Sequence, residues 1–255
     1  MKHKVLVETT VLISSSVYSF LEDMKEPLKH EYFERSVKLL SYLAANVGKR
    51  IGIVTARIER ESYSVIEKAV RMRLEDTDLR VDYPTLSFIL DACTDRLRRN
   101  IEGLVREPII QKRVDEFFAK VAAMYSTLNQ RADLLDKETL QSVARDKAEV
   151  ASSKRYRGIA TEIYTKQEYD TYSQLRKLVN NKASTNDMMF LAEAMYLREV
   201  FSQEGDLTMH IASTDTHLSP FTVEGKVVSS IVTDQIAKDF NVYCDWPERV
   251  LGKIT

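Results

Sequence analysis

The sequence predicts an α/β fold in which a parallel sheet is flanked by helices and interrupted by an all-helical insertion. Two observations lead to this prediction. Short apolar segments rich in β-branched residues alternate with longer segments of helical periodicity, a pattern typical of βαβ units. Between them, residues 85–181 contain a single proline and two glycines, so this stretch suits helices better than loops.

The composition describes a globular protein with little net charge. The chain has 255 residues and a formal net charge of -1, enough length for one large domain or two modest ones. This balance gives no global signature of nucleic-acid binding, so such a partner needs a local basic patch or metal-bridged phosphates. Cys93 and Cys244 indicate neither a disulfide framework nor a zinc site. We expect a cytoplasmic protein without a targeting or membrane-spanning segment.

The first predicted strand is the centre of the sheet. Residues 5–13 form an apolar run interrupted only by Glu8, Thr9 and Thr10, which suits a strand covered on both faces. Glu8 would then lie near the carboxyl end of the strand, where open α/β sheets have their functional crevice. Because an unpaired carboxylate is costly to bury, we expect Glu8 to contact a cation, a hydrogen-bond donor or water.

Three further elements complete the first part of the predicted core. A helix is expected at about 31–46, with Gly48 at its end, followed by a strand at 51–55. The next helix, at 56–70, begins directly after this strand. Its Glu61 is close enough to the strand to point towards the crevice.

The second part of the core begins with a helix that follows Asp187. Asp187 falls in the first helical turn, behind an N-cap at Ser184 or Thr185, and capping alone would explain it. A strand at 209–213 then precedes Asp215, again near a carboxyl end. The last predicted elements are a βα-like unit at 227–240, a strand at 241–244 and a closing turn at 246–251.

These elements predict a core of residues 1–83 and 184–255, interrupted by a helical insertion at 84–183. The insertion carries 18 Lys and Arg residues against 14 Asp and Glu residues, so positive charge is concentrated there. Its basic clusters alternate with tyrosines, a mixture that can contact phosphates and stack on bases, with Arg155 and Arg157 as candidates. The alternatives are an ordinary solvated helix face or a surface for a second copy of the chain or another protein.

The acids of the core point to a cation. Glu8, Asp187 and Asp215 lie at equivalent ends of their elements, and Glu61 begins the neighbouring helix, so all four can converge on one cleft. Carboxylates in one cleft repel each other, and divalent cations such as Mg²⁺ and Mn²⁺, which bind oxygen ligands, relieve that repulsion. A cation held in this way activates water and stabilises the charge of an in-line attack on a phosphodiester.

The sequence resembles the PIN-domain ribonucleases over about residues 1–80 and 184–255. The order and spacing of five short motifs carry the resemblance: residues 5–13, Ile58-Glu-Arg-Glu61, Asn186-Asp187, Ile211-Ala-Ser-Thr-Asp215, and 241–251. It implies a Rossmann-like sheet and Mg²⁺- or Mn²⁺-dependent cleavage of RNA.

The resemblance also assigns roles to residues. Glu8, Glu61, Asp187 and Asp215 would form the catalytic acidic tetrad, with Glu8, Asp187 and Asp215 as metal ligands. Thr10 would support the first acid, and Ser213 or Thr214 would orient Asp215 or a metal-bound water. The family normally has Asp at the position of Glu8 and lacks so large an insertion.

Two further functions fit the sequence less well. A phosphatase of the haloacid dehalogenase class needs two Asp residues where this chain has Glu8 and Thr10. A more serious alternative is an inactive PIN-like scaffold that binds RNA or protein through the insertion.

His210 and His217 flank Asp215, but histidines at a strand and a turn are more often structural than catalytic. No glycine-rich phosphate loop supports nucleotide binding.

Overall fold

The computed structural model describes residues 2–23, 31–76, 80–127, 130, 183–203, 205–223 and 226–255. The elements in chain order are β1 (Lys2–Val7), α1 (Thr9–Asp23), α2 (Glu31–Ala45), a 3₁₀ turn (Val47–Lys49), β2 (Gly52–Val54), α3 (Ala56–Asp76), α4 (Tyr83–Glu102), β3 (Val105–Arg106), α5 (111–127), α6 (Thr185–Ser202), β4 (Leu207–Ala212), β5 (Phe221–Val223), β6 (Lys226–Val228), α7 (Ile231–Phe240), β7 (Val242–Asp245) and α8 (Pro247–Ile254).

Five strands form one parallel sheet, in the order β3-β2-β1-β4-β7. This confirms the predicted α/β fold with a parallel sheet flanked by helices. In the central strand β1, Val5, Leu6 and Val7 are fully buried, so both faces of the strand are covered. Because β2 joins one side of β1 and β4 the other, the strand order reverses at β1. The carboxyl ends of β1 and β4 therefore flank the place where open α/β sheets bind ligands.

The first apolar run is part strand and part helix. β1 ends at Val7 and α1 follows after one residue, so the prediction of a strand over 5–13 was wrong beyond Val7. The carbonyl of Glu8 accepts hydrogen bonds from the N–H groups of Val11 (3.1 Å) and Leu12 (3.3 Å), which starts the helix. A short apolar run cannot distinguish a strand from a buried helix. Glu8 thus occupies the turn between the central strand and the first helix.

Part of the predicted insertion packs against the sheet domain. α4 contacts α1 and α3 and buries one side chain per turn: Leu86, Ile89, Cys93, Leu97 and Ile101. β3 pairs with β2, so the prediction of an entirely helical segment was wrong at Val105 and Arg106, which continue the sheet directly after α4. Residues 131–182, with the predicted RNA contacts Arg155 and Arg157, lie outside the described residues. The division into a core and an insertion at 84–183 stays a prediction.

The end of the chain is more regular than predicted. The segment predicted as a turn at 246–251 belongs to α8, in which Pro247 occupies the first turn, a position that favours proline. β6 and α7 correspond to the βα-like unit predicted at 227–240, but β5 and its antiparallel pairing with β6 were not predicted. Across the described part of the chain, no helix combines the length and the apolar character that crossing a membrane requires.

Gly52 marks a close approach between β2 and its neighbours. A Cβ atom at this position would lie 2.7 Å from Cδ2 of Leu104 and 3.0 Å from the side chain of Leu43. Both leucines are buried, so we expect Gly52→Ala to lower the free energy of unfolding by about 1–3 kcal/mol through overpacking. Urea denaturation measures this change. Gly48→Ala is the control because a Cβ there meets no atom of the described residues within 4 Å, and equal effects of the two substitutions would contradict an overpacking effect.

Candidate functional site

Hydrogen bonds join the residues that follow β1 and β4. The backbone N–H of Thr214 donates to Oγ1 of Thr10 (3.2 Å), and the N–H of Asp215 donates to Oγ of Ser213 (2.9 Å). The Oγ of Ser213 lies 3.3 Å from Oε2 of Glu8 and donates to it. The three residues predicted to support the acids therefore lie between Glu8 and Asp215, at the carboxyl edge of the sheet.

The carboxylate of Glu8 is held through one of its two oxygens. Besides the Ser213 hydroxyl, Oε2 accepts hydrogen bonds from the backbone N–H of Thr10 (2.9 Å) and from the Thr10 hydroxyl. All three bonds use Oε2, so Oε1 is left outside this set of hydrogen bonds. The side chain of Glu8 is longer than that of Asp. Because of these hydrogen bonds, it folds back towards the start of α1.

The surroundings of Glu8 disfavour its charge. Burial raises the pKa of Glu8 to about 7, the negative charges of Asp215 and Glu61 act in the same direction, and the hydrogen bonds from Thr10 oppose them. In the absence of a cation, the Glu8 carboxyl group therefore gains or loses its proton near neutral pH instead of near pH 4.5. A cation bound nearby would favour the ionised form and lower this pKa.

Glu61 lies on the second turn of α3 and contacts two other helix starts. The Thr9 hydroxyl at the beginning of α1 donates to Oε2 of Glu61 (3.1 Å). The side-chain amide of Asn186 in the first turn of α6 lies 3.5 Å from Oε1, a long hydrogen bond. The predicted direction of Glu61 towards the crevice agrees with this position.

Asp187 has a structural role as well as a place in the cleft. Its Oδ2 accepts a hydrogen bond from the N–H of Ser184 (2.7 Å), and its own N–H donates to the Ser184 hydroxyl (3.2 Å). This reciprocal pair is a capping box at the start of α6. Ser184 is thus the N-cap, and it is one of the two residues predicted for this position, Ser184 and Thr185. A carboxylate oxygen of Asp187 also lies within 4.8 Å of ligand atoms of Asp215 and His217.

His217 accompanies Asp215 in the turn after β4. The backbone N–H of His217 donates to Oδ1 of Asp215 (2.7 Å), and the imidazole Nδ1 lies 3.2 Å from the same oxygen. The side chain is 47% exposed. The sequence favoured a structural role for His217, whereas the structure places its imidazole beside two of the predicted acids.

The four predicted acids converge on one edge of the sheet. Glu8, Glu61 and Asp187 line a cleft with a volume of about 20 Å³, and Asp215 lies beside Asp187 and raises the pKa of Glu8. A cavity of this volume holds about one water molecule, so the cleft has room for one small ion. Carboxylate oxygens that repel each other in a small polar cleft form a donor set that suits a divalent cation.

The same cleft contains an ion pair that the sequence did not reveal. Glu193 of α6 is 1% exposed and receives two hydrogen bonds from Arg57, from Nε to Oε1 (2.7 Å) and from Nη2 to Oε2 (3.2 Å). The Thr55 hydroxyl donates to Oε2 as well (2.9 Å). Nη1 of Arg57 also lies 3.4 Å from Glu61. Arg57 is therefore fixed by a buried carboxylate while it faces the acidic cleft.

One signal for this ion pair was available in the sequence. Glu193 stands in the run Phe190-Leu-Ala-Glu-Ala-Met195, where all neighbours are apolar. An acid inside such a run is expected to be buried and so to need a cationic partner. Nothing in the sequence identifies that partner, because Arg57 lies 136 positions earlier.

Comparison with known proteins gives no further evidence on the family of this chain. The PIN-domain resemblance depends on the five motifs of the sequence and on no other protein, and it stays a prediction. No protein-family model matches this sequence, and neither the curated proteins nor the solved structures give a significant match.

Proposed function

We propose that this protein is a metal-dependent ribonuclease that hydrolyses RNA phosphodiester bonds at the cleft formed by Glu8, Glu61, Asp187 and Asp215. One observation carries the proposal. Four acids that are as far apart in sequence as positions 8 and 215 lie together at the switch point of a parallel sheet. These acids repel each other in the absence of a cation, so a bound cation would stabilise their arrangement.

The residues of the cleft divide into ligands and supports. Glu8, Asp187 and Asp215 would hold Mg²⁺ or Mn²⁺, and Glu61 completes the acidic set. Once bound, the cation would supply an activated water and stabilise charge on the phosphate. Thr10 and Ser213 fix one oxygen of Glu8 and leave the other for the cation, so a glutamate can serve where the family normally has Asp.

The choice of RNA as substrate follows from the family resemblance and from the charge distribution. The predicted insertion at 84–183 has an excess of four positive charges, from 18 basic and 14 acidic residues. Basic groups near an acidic metal centre would bind the phosphates of a single strand on either side of the cleaved bond. Arg155 and Arg157 are the candidate contacts for this role.

Hydrolysis of a fluorescent single-stranded RNA tests the proposal. We expect cleavage in Mn²⁺ or Mg²⁺ and none in chelator, with a rate at least about tenfold lower in Asp215→Asn because one anionic ligand is lost. An asparagine oxygen can still accept the hydrogen bond from the N–H of His217, so the turn should keep its shape. Asp91→Asn, on the exposed face of α4, is the matched control and should keep the activity of the parent.

Two outcomes would contradict the proposal. Cleavage that persists in chelator or in Asp215→Asn would mean that the acidic cleft is not the site of hydrolysis. A protein that binds RNA but does not cleave it with either cation would instead support the PIN-like scaffold. The same fluorescent RNA, used in an anisotropy titration, separates binding from cleavage.

A further inference from the structure

We propose that His217 is a ligand of the metal ion and that its imidazole makes the site select a first-row transition ion such as Mn²⁺ over Mg²⁺. The inference rests on the proposed function, because it assumes a cation between Asp187 and Asp215. It goes further by naming a ligand outside the acidic tetrad and by choosing between the two cofactor classes.

The distances suit coordination by both members of the Asp215 and His217 pair. Two ligands at right angles, each about 2.1–2.2 Å from a cation, lie roughly 3 Å apart. The Nδ1 of His217 and the Oδ1 of Asp215 are separated by 3.2 Å. The third ligand atom, from Asp187, lies within 4.8 Å of both. Small rotations of these side chains would place all three around one ion.

The contact of Nδ1 with Oδ1 of Asp215 (3.2 Å), rather than the turn or apolar packing, accounts for the position of the imidazole. The backbone N–H of His217 already donates to Asp215 at 2.7 Å, so the turn does not need the side chain to hold the carboxylate. The side chain is 47% exposed, so burial of apolar surface contributes little to its orientation. An exposed imidazole beside two carboxylates of a proposed metal site is placed where a ligand would be.

The nature of the donor atom determines which cation is favoured. Mg²⁺ prefers oxygen ligands, keeps several of its waters and gains little from an imidazole. Transition ions bind imidazole nitrogen well, and their affinity for mixed nitrogen and oxygen sites exceeds that of Mg²⁺. A site of carboxylates alone would suit Mg²⁺, whereas carboxylates with His217 would favour Mn²⁺ and the ions that follow it.

Pulsed EPR of the Mn²⁺ complex tests this assignment without any measurement of activity. A coordinated imidazole couples its ¹⁴N nucleus to the Mn²⁺ spin, so we expect nitrogen modulation in the parent and its loss in His217→Ala. His3→Asn is the control: His3 lies five residues before Glu8 along β1, about 16 Å away at roughly 3.3 Å per residue. The exposed position of His217 makes misfolding of the variant unexpected, and circular dichroism checks this.

Affinity measurements give a second criterion. Titration of the free Mn²⁺ signal should show binding at least about tenfold weaker in His217→Ala, while Mg²⁺ competition against Mn²⁺ in that variant becomes more effective. His217→Asn should behave like His217→Ala, since it keeps a polar side chain but loses the imidazole.

The outcomes separate this inference from the proposed function. Mn²⁺ binding without nitrogen modulation, or modulation that persists in both variants, overturns the role of His217 and leaves the acidic nuclease site intact. A parent protein that binds no Mn²⁺ overturns both. Nitrogen modulation in a protein that cleaves no RNA would support the ligand assignment and contradict the ribonuclease.

Discussion

Arg57→Met is expected to lower the free energy of unfolding by about 3 kcal/mol, the lower end of the range for breaking a buried ion pair. Among the residues that the structure describes, the substitution leaves the buried carboxylate of Glu193 with only the Thr55 hydroxyl as a donor. The lower end applies because Arg57 is itself 22% exposed, so water can partly replace it. Equilibrium unfolding in urea, at constant pH, measures the loss.

A second ion pair, on the helix that contains Arg57, provides the control. Arg71 of α3 contacts Glu67 at 2.8 Å, but both side chains are about half exposed, and such pairs contribute at most about 1 kcal/mol. Arg71→Met should therefore have a small effect. In the double variant Arg57→Met/Glu193→Met, the buried charge is gone, and at least half of the lost stability should return. A double variant as unstable as Arg57→Met would show that the charge of Glu193 is not the cause.

Glu8→Gln should stabilise the metal-free protein, and the gain should increase with pH. Burial raises the pKa of Glu8 from its ordinary value of 4.5 to about 7. Between these values the folded state binds more protons than the unfolded state, so the free energy of unfolding of the parent falls as pH rises. The stabilisation that the protonated Glu8 carboxyl group gives the folded state is fully present below pH 4.5 and is lost as pH rises through 7. The amide side chain of the variant cannot ionise and avoids this loss, which amounts to about 3 kcal/mol above pH 7.

Urea denaturation in chelator measures this difference. At about pH 5 the parent and Glu8→Gln should differ little, and at about pH 8 the variant should be clearly more stable. Glu102→Gln, an exposed residue at the end of α4, controls for loss of a negative charge. Added Mn²⁺ should stabilise the parent more than the variant, through preferential binding to the folded state. A less stable variant at both pH values, with an unchanged response to Mn²⁺, would make Glu8 a structural acid with its own partners.

The periodicity of the sequence predicted the sheet well because parallel strands leave a simple pattern. The run at 51–55, which is rich in Ile and Val, and the run Met209-His-Ile-Ala-Ser213 correspond to β2 and β4. The same pattern failed after Glu8, since residues in the first turns of α1 are as apolar as those of a buried strand. The turn at Glu8 depends on backbone hydrogen bonds that hydrophobicity does not encode.

The acids of the cleft were predictable because sheet topology brings the carboxyl ends of strands together. Each of Glu8, Asp187 and Asp215 follows or begins an element whose place in the sheet could be inferred. Arg57 and Glu193 form a contact between two helices, and such pairings depend on how the helices are rotated about their axes. The position of the His217 imidazole beside Asp187 and Asp215 was not predicted for a related reason, because the direction of a side chain in a turn cannot be read from residue type.

The register of the central strands has a consequence for the timing of synthesis. Lys2 pairs with Leu207, and Val7 pairs with Ala212, so the first strand of the chain obtains one of its two neighbours only after more than 200 residues have been made. At roughly 5–20 residues per second, this delay lasts on the order of ten seconds or more. Glu8 cannot meet Asp187 and Asp215 before then. A nascent chain consequently lacks a complete acidic cleft until Asp215 has been synthesised and has left the ribosome.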